Sequence, residues 1–442
     1  MSAGPDRPRS TPEAPIELRL LPDGAAVGVD GRLAIAGVDV GELCERYGTP
    51  LFVYDEQHLR RRCREAVAAW GEGVAYASKA FLCRAMARLA AEEGMAVDVS
   101  TGGELHVALS AGVPGSRLVL HGNNKSEAEL SRALQVGVAR IVVDSFDEID
   151  RLERIVADLG VRPEVLLRVT PGIEAHTHEY VRTGQDDSKF GFGLASGAAA
   201  AAGARLQTAS GRLHLVGLHT HIGSQIFEPA FFARALEVLA PLLSGLGLAE
   251  LCLGGGLGVG YVCGEPTPSI ASWAVSVRRA ALDAGLPPSL RLTAEPGRSI
   301  VAAAAVTCYT VGTVKEIPGV RTYLSVDGGM SDNPRPVLYG SGYEAFAALD
   351  AAAERPFVAT VVGKHCESGD VVVRDARLPS SIAVGDVLIT PVTGAYGHSM
   401  ASNYNKVPRP PVVFVADGRT RLVVRGETLD DLIAHDVEED WS

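Results

Sequence analysis

Between residues 72 and 299, short apolar runs alternate with longer stretches rich in Ala, Leu, Glu and Arg. The runs are Val74–Ser78, Ala96–Val99, Leu118–Leu120, Arg140–Asp144, Glu164–Val169, Leu215–Thr220, Leu251–Leu253 and Leu290–Ala294. Each has the length of a strand, and the stretches between them have the length and composition of helices. Eight such units predict a parallel (β/α)8 barrel, a fold that typically takes about 250 residues. A doubly wound open sheet is the competing architecture, and eight repeats favour the barrel.

After Val301 the texture changes. Ala305–Val311, Thr322–Val326, Phe357–Val362, Asp370–Val373 and Val412–Val415 are short, β-branched and bounded by Gly, Asp and Pro. Helical periodicity is sparse there, which predicts a second, β-rich domain built as a sandwich or barrel. Arg32–Val38 and Leu51–Tyr54 are strand-like as well, and would join that domain across the inserted barrel. The expected division is a disordered tail over 1–25, an N-terminal part of the β domain over 26–54, the barrel over 55–304 and the C-terminal β domain over 305–442.

Composition narrows the class. The chain has 442 residues, 47% of them hydrophobic and 21% charged, as in a globular enzyme of two or three domains. A net charge of −12 argues against general affinity for nucleic acid or anionic membranes. The seven cysteines are scattered and odd in number with no C-x-x-C pair, which fits reduced thiols in a cytoplasm better than disulfides or a zinc site. No stretch has the length and apolarity of a membrane span, and Ser2–Pro15 lacks the apolar core of a signal peptide.

The active site of such a barrel lies where strands end and helices begin. In order, those ends carry Lys79, Asp98, His121, Asp144, Arg168, His221, Gly254–Gly256 and Glu295. Lys79 closes the first strand in Tyr76-Ala-Ser-Lys-Ala80; a lysine buried there is costly unless its amine works, for example as a Schiff-base former. The run Leu253-Gly-Gly-Gly-Leu-Gly258 and the loop Glu295-Pro-Gly-Arg-Ser299 follow the seventh and eighth strands, the loops where barrel phosphate sites recur. A tight turn uses the same glycines. Glu295 offers a carboxylate to a protonated ring nitrogen, or is a helix-start acid before Pro296. His219 and His221 point to one face if the strand stays regular. They would lie against an aromatic ring, share a metal, or serve the structure alone; no third metal ligand stands near them in sequence.

Taken together, Y-A-S-K-A at Tyr76–Ala80, H-I-G-S-Q at His221–Gln225, G-G-G-L-G at Gly254–Gly258 and E-P-G-R at Glu295–Arg298 resemble the alanine-racemase-like, fold type III pyridoxal phosphate decarboxylases. E-A-H-T-H-E at Glu174–Glu179, S-K-F-G at Ser188–Gly191, D-G-G-M-S-D-N at Asp327–Asn333, R-P-V-L-Y-G at Arg335–Gly340, C-E-S-G-D at Cys366–Asp370 and Gly394–Asn405 are similar to the diaminopimelate decarboxylases among them. The resemblance runs over roughly residues 30 to 435, and only the combination of motifs is specific.

That resemblance implies a pyridoxal 5'-phosphate enzyme converting meso-2,6-diaminopimelate to L-lysine and CO2. Lys79 would hold the cofactor, His221 stack on its ring and Glu295 bind its nitrogen. Ser224, Gly255, Gly256, the Gly297–Arg298 backbone and Tyr396 would hold the phosphate, while Asp98 and Arg168 orient the ring and the lysine. Arg298, Arg335, Tyr339, Glu367 and Tyr396 would grip the distal end of the substrate. Cys366 would give the α-carbon its proton, with Cys366 and Glu367 supplied by the other subunit of a homodimer. No metal is implied.

The chemistry of these side chains agrees, since arginines pair with a carboxylate and Glu367 with an ammonium. The departures are small: Ser78 stands in the lysine motif, and His398 replaces a residue that is frequently aromatic. A sister decarboxylase acting on ornithine, arginine or a pathway-specific D-amino acid is the alternative, and Arg335 discriminates, because a cationic tail should not meet an arginine. A racemase would want a tyrosine base where Cys366 stands. A non-catalytic homologue would not keep Lys79, Cys366 and Glu295 together.

Overall fold

The computed structural model describes residues 18–173, 188–208 and 212–439. The chain divides into two compact units: residues 60–259 with 266–300, and residues 1–59 with 260–265 and 301–442.

The first unit is a parallel α/β barrel. Its strands are Ala75–Ala77, Ala96–Val99, Leu118–Leu120, Arg140–Val143, Glu164–Thr170, His214–His219, Glu250–Cys252 and Arg291–Thr293, neighbours in space in that same order. The ends of the sheet meet through Ala75 N–H to Ala294 C=O at 3.0 Å and Ala77 N–H to Pro296 C=O at 3.3 Å. Helices such as Glu127–Val136 and Phe146–Leu159 return the chain between strands. Ser126 and Glu129 cap the first of these reciprocally, and Ser145 caps the second, so one orphan amide of each helix start is met locally.

Side-chain alternation sorts the barrel interior into tiers. At the N-terminal end of the strands, Arg140 pairs with Glu164 and, at 3.0 Å, with Glu250, and Arg291 lies 3.7 Å from Glu250. Above this network Ala75, Val119, Val142, Leu166 and Cys252 pack as one apolar cluster. Further along the strands, toward their C-terminal ends, stand Asp98, His121, Asp144, Arg168, His219 and Glu295, all buried. A charged base, an apolar plug and an ionisable top thus follow from a two-residue repeat in registered strands.

The second unit is β-rich. Leu51–Asp55 runs antiparallel to Ala305–Ile317 and parallel to Val412–Ala416, so the N-terminal strand sits inside the C-terminal sheet. Ala305–Ile317 also pairs with Arg321–Val326 and Val387–Pro391. A small sheet of Ala25–Val27, Leu33–Ile35 and Val38–Asp39 packs on the same core through Leu33, Ile35 and Val38.

Two expectations need correction. Leu18–Leu20 form a helical turn and Leu20 and Leu21 are buried, so order begins before residue 25 because two leucines find apolar cover. Residues 260–265 group with the β unit rather than with the barrel that surrounds them in sequence. Strands Val387–Pro391 and Arg419–Val424 were absent from the sequence reading. Among the described residues no helix is long and apolar enough to cross a membrane, and the seven cysteines are all thiols.

Candidate active site

The candidate residues of the barrel are organised around Glu295. Its Oε2 accepts from His219 Nε2 at 3.0 Å, and its Oε1 lies 2.9 Å from His121 Nε2. Asp98 Oδ1 is 3.7 Å from that same His121 nitrogen. Burial works to raise the Glu295 pKa, but the close charge of His121 and the hydrogen bond from His219 outweigh it and hold the carboxyl well below its ordinary range. Asp98 receives less help: burial pushes its pKa up to about 7, with His121 opposing. Two neighbouring carboxyls are thereby driven apart, Glu295 fully ionised and Asp98 titrating near neutrality. His121, Glu295 and His219 are the cluster that sequence spacing concealed; His219 shares its partner with His121, not with His221.

His221 lies two residues past the end of its strand, where Nδ1 accepts from Gly255 N–H at 3.2 Å. Burial, then the charges of Lys79 and Arg168, holds its pKa well below the ordinary value, so the imidazole is neutral. A neutral flat ring held at its edge by a backbone amide suits stacking.

Lys79 sits on the one-turn helix Ser78–Ala80 directly after the first strand. Its neighbours Ser78 and Ala80 are buried, but Lys79 itself is exposed. The expectation of a costly buried ammonium fails here, because the chain turns at Ser78 and carries the side chain out of the packed layer; the amine is accessible instead.

The glycine loops form a close-walled cradle. A Cβ at Gly255 would stand 2.5 Å from the Glu295 carbonyl oxygen, and one at Gly256 would stand 2.3 Å from that of Gly223. Gly256 also has φ +112°, open to glycine and rarely to other residues. A Cβ at Gly297 would lie 2.9 Å from the Ala77 side chain. Ser224 Oγ accepts from Arg298 Nη2 at 2.9 Å.

Arg168 is held by elements the motif reading left without a role. Its guanidinium lies 4.4 Å above the Phe190 ring, and Nη1 is 3.6 Å from Asp144 Oδ2. Gly191 N–H donates to Asp144 Oδ1 at 2.6 Å, and Asp144 N–H donates to Glu148 Oε2 at 3.0 Å. Behind these, buried Lys125 donates to the Gly122 and Val142 carbonyls and to Glu148 Oε1 at 2.6–2.7 Å. The S-K-F-G segment is therefore a support for Arg168. The E-A-H-T-H-E segment lies outside the described residues.

The β unit carries the remaining candidates. Arg335, 3% exposed, begins a short helix that ends with half-buried Tyr339. Its guanidinium lies 3.9 Å above the Tyr261 ring and Nη1 donates to Tyr343 Oη at 2.6 Å, while Nε is buried with no hydrogen-bond partner. Among the described residues it pairs with no carboxylate. Tyr261 and Tyr343 are residues that sequence reasoning missed: Tyr343 stands just past the Arg335–Gly340 motif, and Tyr261 is 74 residues before Arg335. Tyr396 is half-buried, with φ +59°.

Cys366 and Glu367 are exposed on a loop tip with an organised base. Asp370 accepts from His365 N–H at 3.0 Å, His365 Nδ1 at 2.9 Å and Met330 N–H at 2.7 Å. Cys366 N–H donates to Asn405 Oδ1 at 3.2 Å, and Tyr404 Oη donates to Glu367. Three motifs distant in sequence thus meet under one thiol and one carboxylate.

A parallel barrel with an accessible lysine after its first strand, a clamped carboxylate after its eighth and a glycine cradle beside it defines a class of enzyme. The model of the pyridoxal-dependent decarboxylase pyridoxal binding domain matches residues 56–302. The chain is 47% identical over 427 residues to diaminopimelate decarboxylase of Mycobacterium tuberculosis, covering 92% of this chain and 95% of that one. It is 46% identical over 423 residues to that of Bacillus subtilis, with 92% and 95% covered. The diaminopimelate decarboxylase of M. jannaschii in co-complex with L-lysine superposes with a TM-score of 0.87 at 32% identity, over 94% of this chain and 98% of that one. The chain belongs to the diaminopimelate decarboxylase family of pyridoxal-dependent carboxy-lyases. Its residues fit pyridoxal phosphate: the cradle has no room for a Cβ where a phosphate would need bare amides, the imidazole is neutral, and the carboxylate is ionised.

Proposed function

We propose that this chain decarboxylates meso-2,6-diaminopimelate to L-lysine and CO2, with Lys79 holding pyridoxal phosphate. The observation that carries the choice of substrate is Arg335, a buried guanidinium supported by two tyrosines and paired with no carboxylate among the described residues. A buried charge without a counter-charge is costly, and the distal carboxylate of an acid-ended substrate is the partner that relieves the cost. The same arginine disfavours ornithine or arginine, whose tails are cationic. The M. jannaschii relative binds L-lysine, the product expected here.

Each residue then has a task. When bound, the cofactor withdraws the electron pair left on the α-carbon as CO2 departs. Glu295 faces the ring nitrogen, His221 covers the ring, and Asp98 and Arg168 fix the orientation of ring and lysine. The amides of Gly255, Gly256, Gly297 and Arg298, with Ser224 and the Tyr396 hydroxyl, hold the phosphate. Arg298, Arg335, Tyr339, Glu367 and Tyr396 hold the substrate's distal amino-acid end, the arginines its carboxylate and Glu367 its ammonium. Cys366 delivers a proton to the α-carbon. Cys366 and Glu367 are exposed on their own chain, which suits service to the other subunit of a homodimer working in the cytoplasm.

Product analysis of the loaded protein with a panel of meso-diaminopimelate, ornithine, arginine and lysine tests the proposal. Equal yields of L-lysine and CO2 from meso-diaminopimelate alone, abolished by Lys79→Ala, are expected. Preferred turnover of ornithine or arginine would sink it.

A further inference from the structure

The two oxygens of Glu295 are held in different ways. His219 Nε2 donates an aligned hydrogen bond to Oε2 at 3.0 Å. His219 Nδ1 is buried with no hydrogen-bond partner, so the tautomer with the proton on Nε2 is the one this single contact requires. His121 Nε2 approaches Oε1 to 2.9 Å without an aligned hydrogen bond, and the atom is buried with no hydrogen-bond partner. What His121 contributes is therefore charge at close range rather than direction. It stands between Glu295 and Asp98 and meets the His219 ring edge to face, centroids 4.9 Å apart.

A glutamate needs both kinds of help here. Its terminal torsion is broad and sets no orientation by itself. Its ionised form is disfavoured by burial, and a protonated Glu295 would offer the ring nitrogen a donor where an acceptor is wanted. A carboxylate has about four lone-pair sites, so both histidines leave room for a ring N–H.

We propose that His121 and His219 are positioning residues for the cofactor, acting through Glu295: His219 fixes the orientation of the carboxylate and His121 keeps it ionised. This rests on the reading that Glu295 faces the ring nitrogen. Burial lowers the His121 pKa, but the charges of Asp98 and Glu295 outweigh it and the net direction is upward, in keeping with a cationic neighbour. The rival occupant is a metal ion, since His121, His219 and Glu295 bring ligand atoms within 4.8 Å of one another.

The test uses full-length protein reconstituted with ring-15N pyridoxal phosphate, with nitrogen NMR and cofactor titration as readouts and circular dichroism as the check on folding. Wild type should give the signal of a protonated ring nitrogen. His219→Phe, which loses a hydrogen bond to a charged group, and His121→Phe, which loses a charge at close range, should each bind the cofactor roughly tenfold to a hundredfold more weakly. Their ring nitrogen should move toward the unprotonated signal. His219→Gln should restore the wild-type signal, because its amide N–H can replace Nε2–H, while His121→Gln should not, because the charge is lost. Phe variants with wild-type affinity and signal, or His219→Gln as poor as His219→Phe, would overturn the proposal, as would stoichiometric transition metal bound to the wild-type protein. Failure of wild type to bind the cofactor at all would instead remove the parent reading.

Discussion

Replacing Arg335 by methionine keeps most of the apolar stem and removes the charge. The site is 3% exposed, so the guanidinium has lost most of its water. A cation over a desolvated aromatic face is worth about 2 kcal/mol, and a hydrogen bond to a charged group about 1.5–3 kcal/mol. Tyr261 and Tyr343 supply one of each. With the Tyr343 ring also 5.6 Å from the guanidinium, these contacts are comparable in size to a burial penalty of several kcal/mol per ion. Truncating one partner of a buried charge pair costs about 2–5 kcal/mol in binding, which is a factor of roughly 30 to several thousand in kcat/KM. CO2 release from meso-diaminopimelate should fall by that factor in Arg335→Met, mainly through KM, while the small turnover of ornithine falls little or rises. The thermal midpoint should change little, because the lost tyrosine contacts and the relieved burial penalty are of similar size. A loss below threefold on meso-diaminopimelate, or equal loss on both substrates, would refute the assignment of Arg335 to a substrate carboxylate.

Lys125→Met should cost about 3–5 kcal/mol in urea unfolding, since it strands Glu148 as an unpaired buried acid, and Lys125→Met with Glu148→Leu should recover much of that; equal losses in single and double variants would contradict the buried pair. Burial raises the Asp332 pKa to about 7 against an ordinary 3.8. Its stabilising contribution is therefore complete below about pH 3.8 and lost as pH rises through 7, so Asp332→Asn should flatten the urea-midpoint profile between pH 4 and 8 by up to about 4 kcal/mol. An unchanged slope would show that Asp332 ionises normally. Cys366→Ala should bind cofactor with wild-type affinity yet lose about 100-fold or more in kcat, as expected when a general acid is deleted; a kcat within threefold of wild type would free Cys366 of that role.

Much of the barrel was legible because its strands have apolar middles and stop abruptly at polar residues, as in Leu118–Leu120 before His121 and Arg140–Val143 before Asp144. The candidate residues announced themselves by position, each lying at a strand end. Their partners did not. His121 and Glu295 are 174 residues apart in sequence, and only the closure of the sheet through Ala75 and Ala294 places them 2.9 Å from each other. The same holds for Tyr261, whose segment belongs with the β unit although barrel flanks it on both sides in sequence. The accessibility of Lys79 depends on a turn at Ser78, which composition could not distinguish from a continuing strand. Arg419–Val424 escaped notice because it is a largely exposed strand rich in arginine, without the apolar alternation that marks a half-buried one.

The central claim is that this barrel removes a carboxylate from an acid-ended amino acid and replaces it with a proton. Turnover of meso-diaminopimelate in D2O, followed by mass spectrometry of the product and by CO2 measurement, tests it directly. The expected result is L-lysine carrying one deuterium on the carbon that lost its carboxylate, with one CO2 for each lysine. Deuterium exchanged into diaminopimelate that keeps both carboxylates, with no CO2 released, would contradict it and make the chain a racemase in chemistry.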